Sequence, residues 1–305
     1  MLIKRCITDA ITCSNFFAIA FSLSISLATV TTYFLDRAGL APGTVKSYEL
    51  TLMPLLAEYG SHPIEILSRQ TLVDYLDGLL HLVYTTHHRH QATLQALFNF
   101  AVEQGYIVSN PIARLRRRKP DAERGEHLCD QVIRYLTPDQ LVVLYQAVAS
   151  DTRLGALVSL LHRSGARISE LLTLDLAQID LSKRKFQVLG KGNKRRWCFY
   201  SEDAAQALSA YFKYDRHREC PALFTAQQPI TGEVSRWSYR SAHRDWKRAI
   251  EPYPELQGIR LHDLRHTFAT ERVGLMGIEE LRALLGHTNL QTTLRYQKVT
   301  SQRAH

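Results

Sequence analysis

Two stretches in the second half of the chain decide how it is read. The first is Leu261-His262-Asp263-Leu264-Arg265-His266-Thr267-Phe268-Ala269-Thr270. On a helix, residues three and four apart share a face, which sets His262, Arg265 and His266 side by side. Such a stripe makes a poor core and a good anion site, because a guanidinium can fork onto two oxygens. The second is Leu284-Leu285-Gly286-His287-Thr288-Asn289-Leu290-Gln291-Thr292-Thr293-Leu294-Arg295-Tyr296. A lone tyrosine near a C-terminus is usually structural, but a Leu-Gly-His turn shortly before it is less ordinary. A metal reading competes at the first stretch, since His262-Asp263-x-x-His266 approaches the H-E-x-x-H pattern of zinc proteases. Aspartate is one methylene short for the usual base, and Arg265 would place a fixed cation beside the metal, so the anion reading is preferred.

Upstream, Ser164-Gly165-Ala166-Arg167-Ile168-Ser169-Glu170-Leu171 puts an arginine after glycine at the start of an apolar helix, with Glu170 one turn on. Alone this is equally an ordinary surface ion pair. Lys185–Leu189 and Arg196–Tyr200 read as two strands around the turn Gly190-Lys191-Gly192-Asn193-Lys194-Arg195. The turn has the composition of a phosphate loop but not its G-x-x-x-x-G-K-[ST] spacing. It reads either as a solvated basic turn or as a strand-tip lysine able to enter a groove.

The 305 residues, 45% of them hydrophobic, suffice for two packed domains. Lysine plus arginine number 38 against 29 aspartate plus glutamate, a formal charge of +9. That surplus favours a polyanionic partner, with a plain basic protein as the alternative. Cys6, Cys13, Cys129, Cys198 and Cys220 are widely spaced and form no C-x-x-C pair, which excludes a disulfide framework or a cysteine zinc site and fits a reducing compartment. Lys4 and Arg5 precede an uncharged run from Ala10 to Leu35, with Ser26-Leu27-Ala28 resembling a cleavage site. A signal or membrane segment is the minor reading; an N-terminal extension over 1–27 is preferred. Helical periodicity then fills 28–115, where Ala92, Leu94, Leu97, Phe98, Phe100 and Ala101 form one face. A basic, charged linker is expected over 116–134 and a second domain over 135–305, opened by the capping sequence Thr137-Pro138-Asp139-Gln140.

Taken together, these segments resemble the tyrosine recombinases, the phage-integrase and Xer-like enzymes, over about residues 28–300. The resemblance implies a mainly α fold with a small antiparallel β-sheet: an all-helical core-DNA-binding domain followed by a mixed α/β catalytic domain. Carried over residue by residue, it makes Arg167 and Arg265 the holders of the scissile phosphate. His262 and His287 become the pair that bonds its oxygens, Lys191 the acid for the leaving 5′ oxygen and Tyr296 the nucleophile. Glu170 takes a supporting place. Ala166 stands where the family often has a bulkier apolar residue. The implied activity is site-specific recombination through a 3′-phosphotyrosyl intermediate, needing neither metal nor cofactor. Relaxation of DNA in the manner of a type IB topoisomerase and a catalytically silent DNA-binding regulator are the alternatives.

The partners implied are double-stranded DNA, further copies of the chain in a tetramer on paired sites, and accessory DNA-bending or regulatory proteins, all in the cytoplasm. Candidate DNA contacts are Lys46, Ser47, Arg89, Lys194, Arg195, Arg236, Arg240 and Arg244, most of them to backbone phosphates. His87-His88-Arg89-His90 could bind metal, but phosphate contact or a solvated helix is the preferred reading.

Overall fold

The computed structural model describes residues 24–126, 133–190 and 195–301. Its contacts divide the chain into two compact units at Cys129–Asp130. Among its described residues the first unit is helical: α1 (Leu27–Asp36), α2 (Pro42–Tyr59), α3 (Arg69–Gly78) and α4 (Tyr84–Glu103), with one short 3-10 turn. Serines open two of these helices, Ser26 accepting from the Thr29 N–H and Ser68 from that of Thr71. Leu27, Val30 and Phe34 from α1, Leu52 and Leu55 from α2, and Leu94, Leu97 and Phe98 from α4 bury their side chains in one core. Each such burial contributes roughly 1.5–3 kcal/mol.

Residues 24–27 already belong to the helical unit, since Ser26 caps α1 and bridges to Pro63; residues 1–23 of the expected extension lie outside the described residues. The expected linker also begins inside this unit. Arg118 forks onto Glu126 at 2.6 and 2.8 Å and donates to the Leu82 carbonyl, while Glu126 accepts the Tyr84 N–H at 2.7 Å. An ion pair that also satisfies the start of α4 folds this basic stretch back through Glu126. Residues 127–132 lie outside the described residues.

The second unit runs α5 (Pro138–Ala147), α6 (Thr152–Ser164), α7 (Ile168–Thr173), β1 (Ile179–Asp180), β2 (Lys185–Leu189), β3 (Arg195–Phe199), α8 (Glu202–Tyr214), β4 (Thr225–Gln227), β5 (Val234–Arg236), α9 (Tyr239–Ile250), α10 (Leu261–Arg272), α11 (Ile278–Leu285) and α12 (Leu290–Ser301). Thr137 and Gln140 form the expected capping box at α5. Helix α6 is the axis of the unit, burying Leu157, Leu160 and Leu161 against α8 and α10. Strands β1-β2-β3 form an antiparallel sheet in which Phe186 faces Cys198. Alternation along β2 and β3 buries Phe186, Val188 and Cys198, and leaves Leu189, Trp197 and Phe199 exposed. A second antiparallel hairpin pairs β4 with β5. Among the described residues, no helix is long and apolar enough to cross a membrane.

Candidate active site

Two glycine turns shape the site. Gly165 ends α6 with φ +63°, and a Cβ there would stand 2.4 Å from the Phe268 ring. Its left-handed turn reverses the chain so that Arg167 sits at the start of α7. Gly286 ends α11 with φ +64°, and the bonds from Gly286 N–H to the Ala283 carbonyl and from His287 N–H to the Arg282 carbonyl close a Schellman turn. That turn presents His287.

Arg265, on α10, is 2% exposed. Its guanidinium donates to the Gly165 carbonyl and the Leu285 carbonyl, each at 2.5 Å, and reaches Nε2 of His287 at 3.1 Å. One side chain thus fastens both glycine turns to α10. Burial, together with Arg167 and Arg196, pulls its pKa down to about 10, still far enough above neutrality to keep it cationic. His287 Nδ1 lies 2.9 Å from the Thr293 hydroxyl. With Arg265 donating to Nε2, this pattern assigns the ring proton to Nδ1. Burial and then Arg265 push the His287 pKa down to about 3, so the imidazole is neutral.

Tyr296, on α12, is 2% exposed, and a 2.8 Å hydrogen bond joins its hydroxyl to Nδ1 of His266. Its ring stacks on His287, centroids 6.4 Å apart and planes 8° from parallel. Burial raises the phenol pKa, while Arg265 draws it the other way. His266 has its own pKa pushed down to about 4, by burial first and then by His262. His262 and His266 meet edge to face at 4.8 Å. Burial and Arg265 lower the His262 pKa too, though this ring is exposed at the surface.

Five of the six residues singled out for catalysis, Arg167, His262, Arg265, His287 and Tyr296, therefore stand around one point. Lys191 lies outside the described residues. Gly190 and Arg195, on either side of its turn, line a cavity together with Gly286 and His287. Glu170 is buried and accepts the Arg167 N–H at 2.7 Å and the Arg167 guanidinium at 2.9 Å, so this pair is no solvated surface bridge. Two further residues join the site. His266 was on the predicted face of α10, but its bond to a tyrosine 30 positions away leaves no mark in local spacing. Arg196 opened the second predicted strand in the sequence and here forks onto Glu170. Among the described residues no group of three or more histidine, cysteine or carboxylate side chains is placed to hold a metal.

The candidate DNA contacts divide. Lys46, Arg89, Arg195 and Arg240 are exposed, and Arg244 is exposed beside Asp245 at 3.4 Å. Ser47 is half-buried. Lys194 lies outside the described residues. Arg236 is half-buried and bonds the Leu172 carbonyl at 3.0 Å, the Leu174 carbonyl at 2.8 Å and Asp175 at 2.5 Å. This guanidinium satisfies the end of α7 and so braces it. His87 bonds the Leu76 carbonyl at 3.0 Å from a buried position, a structural role.

The profile of the phage integrase family matches residues 134–303, more than half of the chain. The tyrosine recombinase XerC of Shewanella amazonensis is 29% identical over 289 residues, covering 90% of this chain and 92% of its own length. Among solved structures, the Tn1549 transposon integrase in complex with circular intermediate DNA superposes with a TM-score of 0.68 at 20% identity, over 90% of this chain and 95% of that one. A lambda integrase tetramer bound to a Holliday junction gives 0.65 at 18% identity, over 87% and 78%. At those identities the structures speak for the fold; the sequence matches carry the assignment, and the chain belongs to the phage integrase family of tyrosine recombinases.

Proposed function

We propose the following chemistry for this site-specific DNA recombinase, an enzyme that cuts and rejoins DNA strands. The Tyr296 hydroxyl attacks a backbone phosphorus. A phenol with a pKa near 10 is a weak nucleophile at neutral pH unless its proton is taken and its target is made less repellent. Arg167 and Arg265 neutralise the non-bridging oxygens and stabilise the extra charge of the five-coordinate state. The neutral rings of His262 and His287 are suited to moving protons; to bond a phosphate oxygen His287 carries its proton on Nε2, which Arg265 vacates as it turns to the phosphate. Lys191 supplies the proton to the leaving 5′ oxygen. Cleavage yields a 3′-phosphotyrosine and a free 5′ hydroxyl, and the covalent bond stores what religation needs. Fixed cations do the work that metal ions do in other nucleases, so the reaction requires none.

The observation that carries this reading is the stack of Tyr296 on His287, itself in contact with Arg265, within a single buried cluster. Because Tyr296 is 2% exposed and bonded to His266, attack requires α12 to shift so that the hydroxyl meets the phosphate. Lambda integrase, of this fold, binds a Holliday junction as a tetramer, and recombination of two duplexes needs four strand cuts, so four copies of this chain act together on paired DNA sites. The place of action we propose is the cytoplasm, where such DNA resides.

The test uses nicked duplexes carrying a randomised site, from which a covalent protein–DNA adduct is collected in the presence of EDTA. Wild-type protein should form the adduct, and Tyr296→Phe should lose it while still binding the selected DNA. Adduct formation that needs added metal, or that survives Tyr296→Phe, contradicts the reading.

A further inference from the structure

Glu170 lies between two arginines from different parts of the second unit. Besides its two contacts with Arg167, it receives Arg196 Nη1 at 2.8 Å and Nη2 at 2.7 Å. The Arg196 side chain is 10% exposed and that of Glu170 7%, so solvent screens this pair little. The third nitrogen, Nε, donates to the Leu284 carbonyl at 3.0 Å. The Arg196 stem also packs over the Schellman turn, where a Cβ on Gly286 would stand 2.8 Å from Cδ. One guanidinium thus joins the helix start that carries Arg167, the strand β3 and the turn that presents His287.

The charges give this joint a purpose. A carboxylate held by Arg167 alone would cancel its charge and compete with a DNA phosphate for the same donors. With Arg196 taking both carboxylate oxygens, two cations share one anion and the trio keeps a net positive charge. We propose that Arg196 is a positioning residue of the strand-exchange site: it neutralises Glu170 and locks the Arg167 and His287 turns into one frame, leaving the Arg167 charge for the scissile phosphate. The inference rests on the recombinase chemistry above. Arg196→Gln gives Glu170 wholly to Arg167, and Arg196→Lys keeps the charge but cannot reach Glu170 and Leu284 together.

The experiment compares single-turnover cleavage of two substrates. One is a nicked duplex captured by wild-type protein from the randomised pool. The other is the same duplex with a methylphosphonate at the scissile position, which lacks one negative charge. In both, the Tyr296 oxygen bonds to phosphorus, the bond to the 5′ oxygen breaks, and that oxygen takes up a proton. Arg196→Gln should slow phosphodiester cleavage on the order of tenfold to a hundredfold with DNA affinity nearly unchanged. Its deficit on the methylphosphonate should be several times smaller. Arg196→Lys should be slowed with the ratio of the two substrates near that of wild type, and it serves as the test should the glutamine variant not fold. Equal losses on both substrates for Arg196→Gln that track a fall in melting temperature would mean a structural role only and overturn the proposal, as would undiminished cleavage. If wild-type protein itself gave no Tyr296-linked adduct, the recombinase chemistry would fall first; a normal wild-type adduct with an unaffected variant would sink the Arg196 role alone.

Discussion

His266 and His287 are neutral imidazoles among fixed cations, and that costs the fold stability in acid. Both take up protons near pH 6.5 in the unfolded chain, but in the folded protein only near pH 4 and pH 3. Between those values the unfolded state binds more protons, so stability rises with pH and falls as pH drops from about 6.5 towards 4. The melting temperature should decline across that window, and His266→Gln or His287→Gln should flatten the decline. A variant whose slope matches wild type would show that the ring in question is not held neutral by the fold. At this scale the sequence was informative where chemistry was local. His262 and Arg265 are three residues apart on one helix and announce themselves. Arg196 does not, because its partners Glu170 and Leu284 are 26 and 88 positions away and only folding brings them near.

At the scale of elements, the two glycine turns hold the site. Gly165→Ala meets both a positive φ and the Phe268 ring at 2.4 Å, a rigid obstacle, and should lower stability by about 2 kcal/mol or more. Gly286→Ala meets the flexible stem of Arg196, so about 1 kcal/mol is expected, with a loss of cleavage beyond what stability explains. Chemical denaturation of both variants, set beside their cleavage rates, checks the order; equal costs would contradict it. The helices α5 and α10 were legible through a cap and a helical face, and the β2–β3 hairpin through its glycine turn. The β4–β5 hairpin was not, because strands as short as Thr225–Gln227 and Val234–Arg236 carry no alternating apolar signal. The stretch from Arg116 to Glu126 read as a charged linker because Arg118 and Glu126, taken separately, are simply charged; in the structure they form a largely buried pair.

Across the whole molecule, the surplus of positive charge is what a DNA partner reads first. Lys46, Arg89 and Arg240 are exposed, whereas Arg236 is spent on carbonyls. Replacing any one of the first three by glutamine should weaken DNA binding on all sequences and reduce the slope of log affinity against log salt by about 1. Arg236→Gln should instead lower the melting temperature and leave that slope unchanged. Titrations at several salt concentrations separate the two classes, and a lowered slope for Arg236→Gln would return it to the DNA interface. Both units contribute to this prediction, Lys46 and Arg89 from the helical one and Arg240 from the one that holds Tyr296. The most direct measurement of the account is mass spectrometry of the protease-digested adduct formed on captured DNA. A nucleotide linked through phosphate to the oxygen of Tyr296 is the expected result, and a nucleotide linked to any other residue would contradict it.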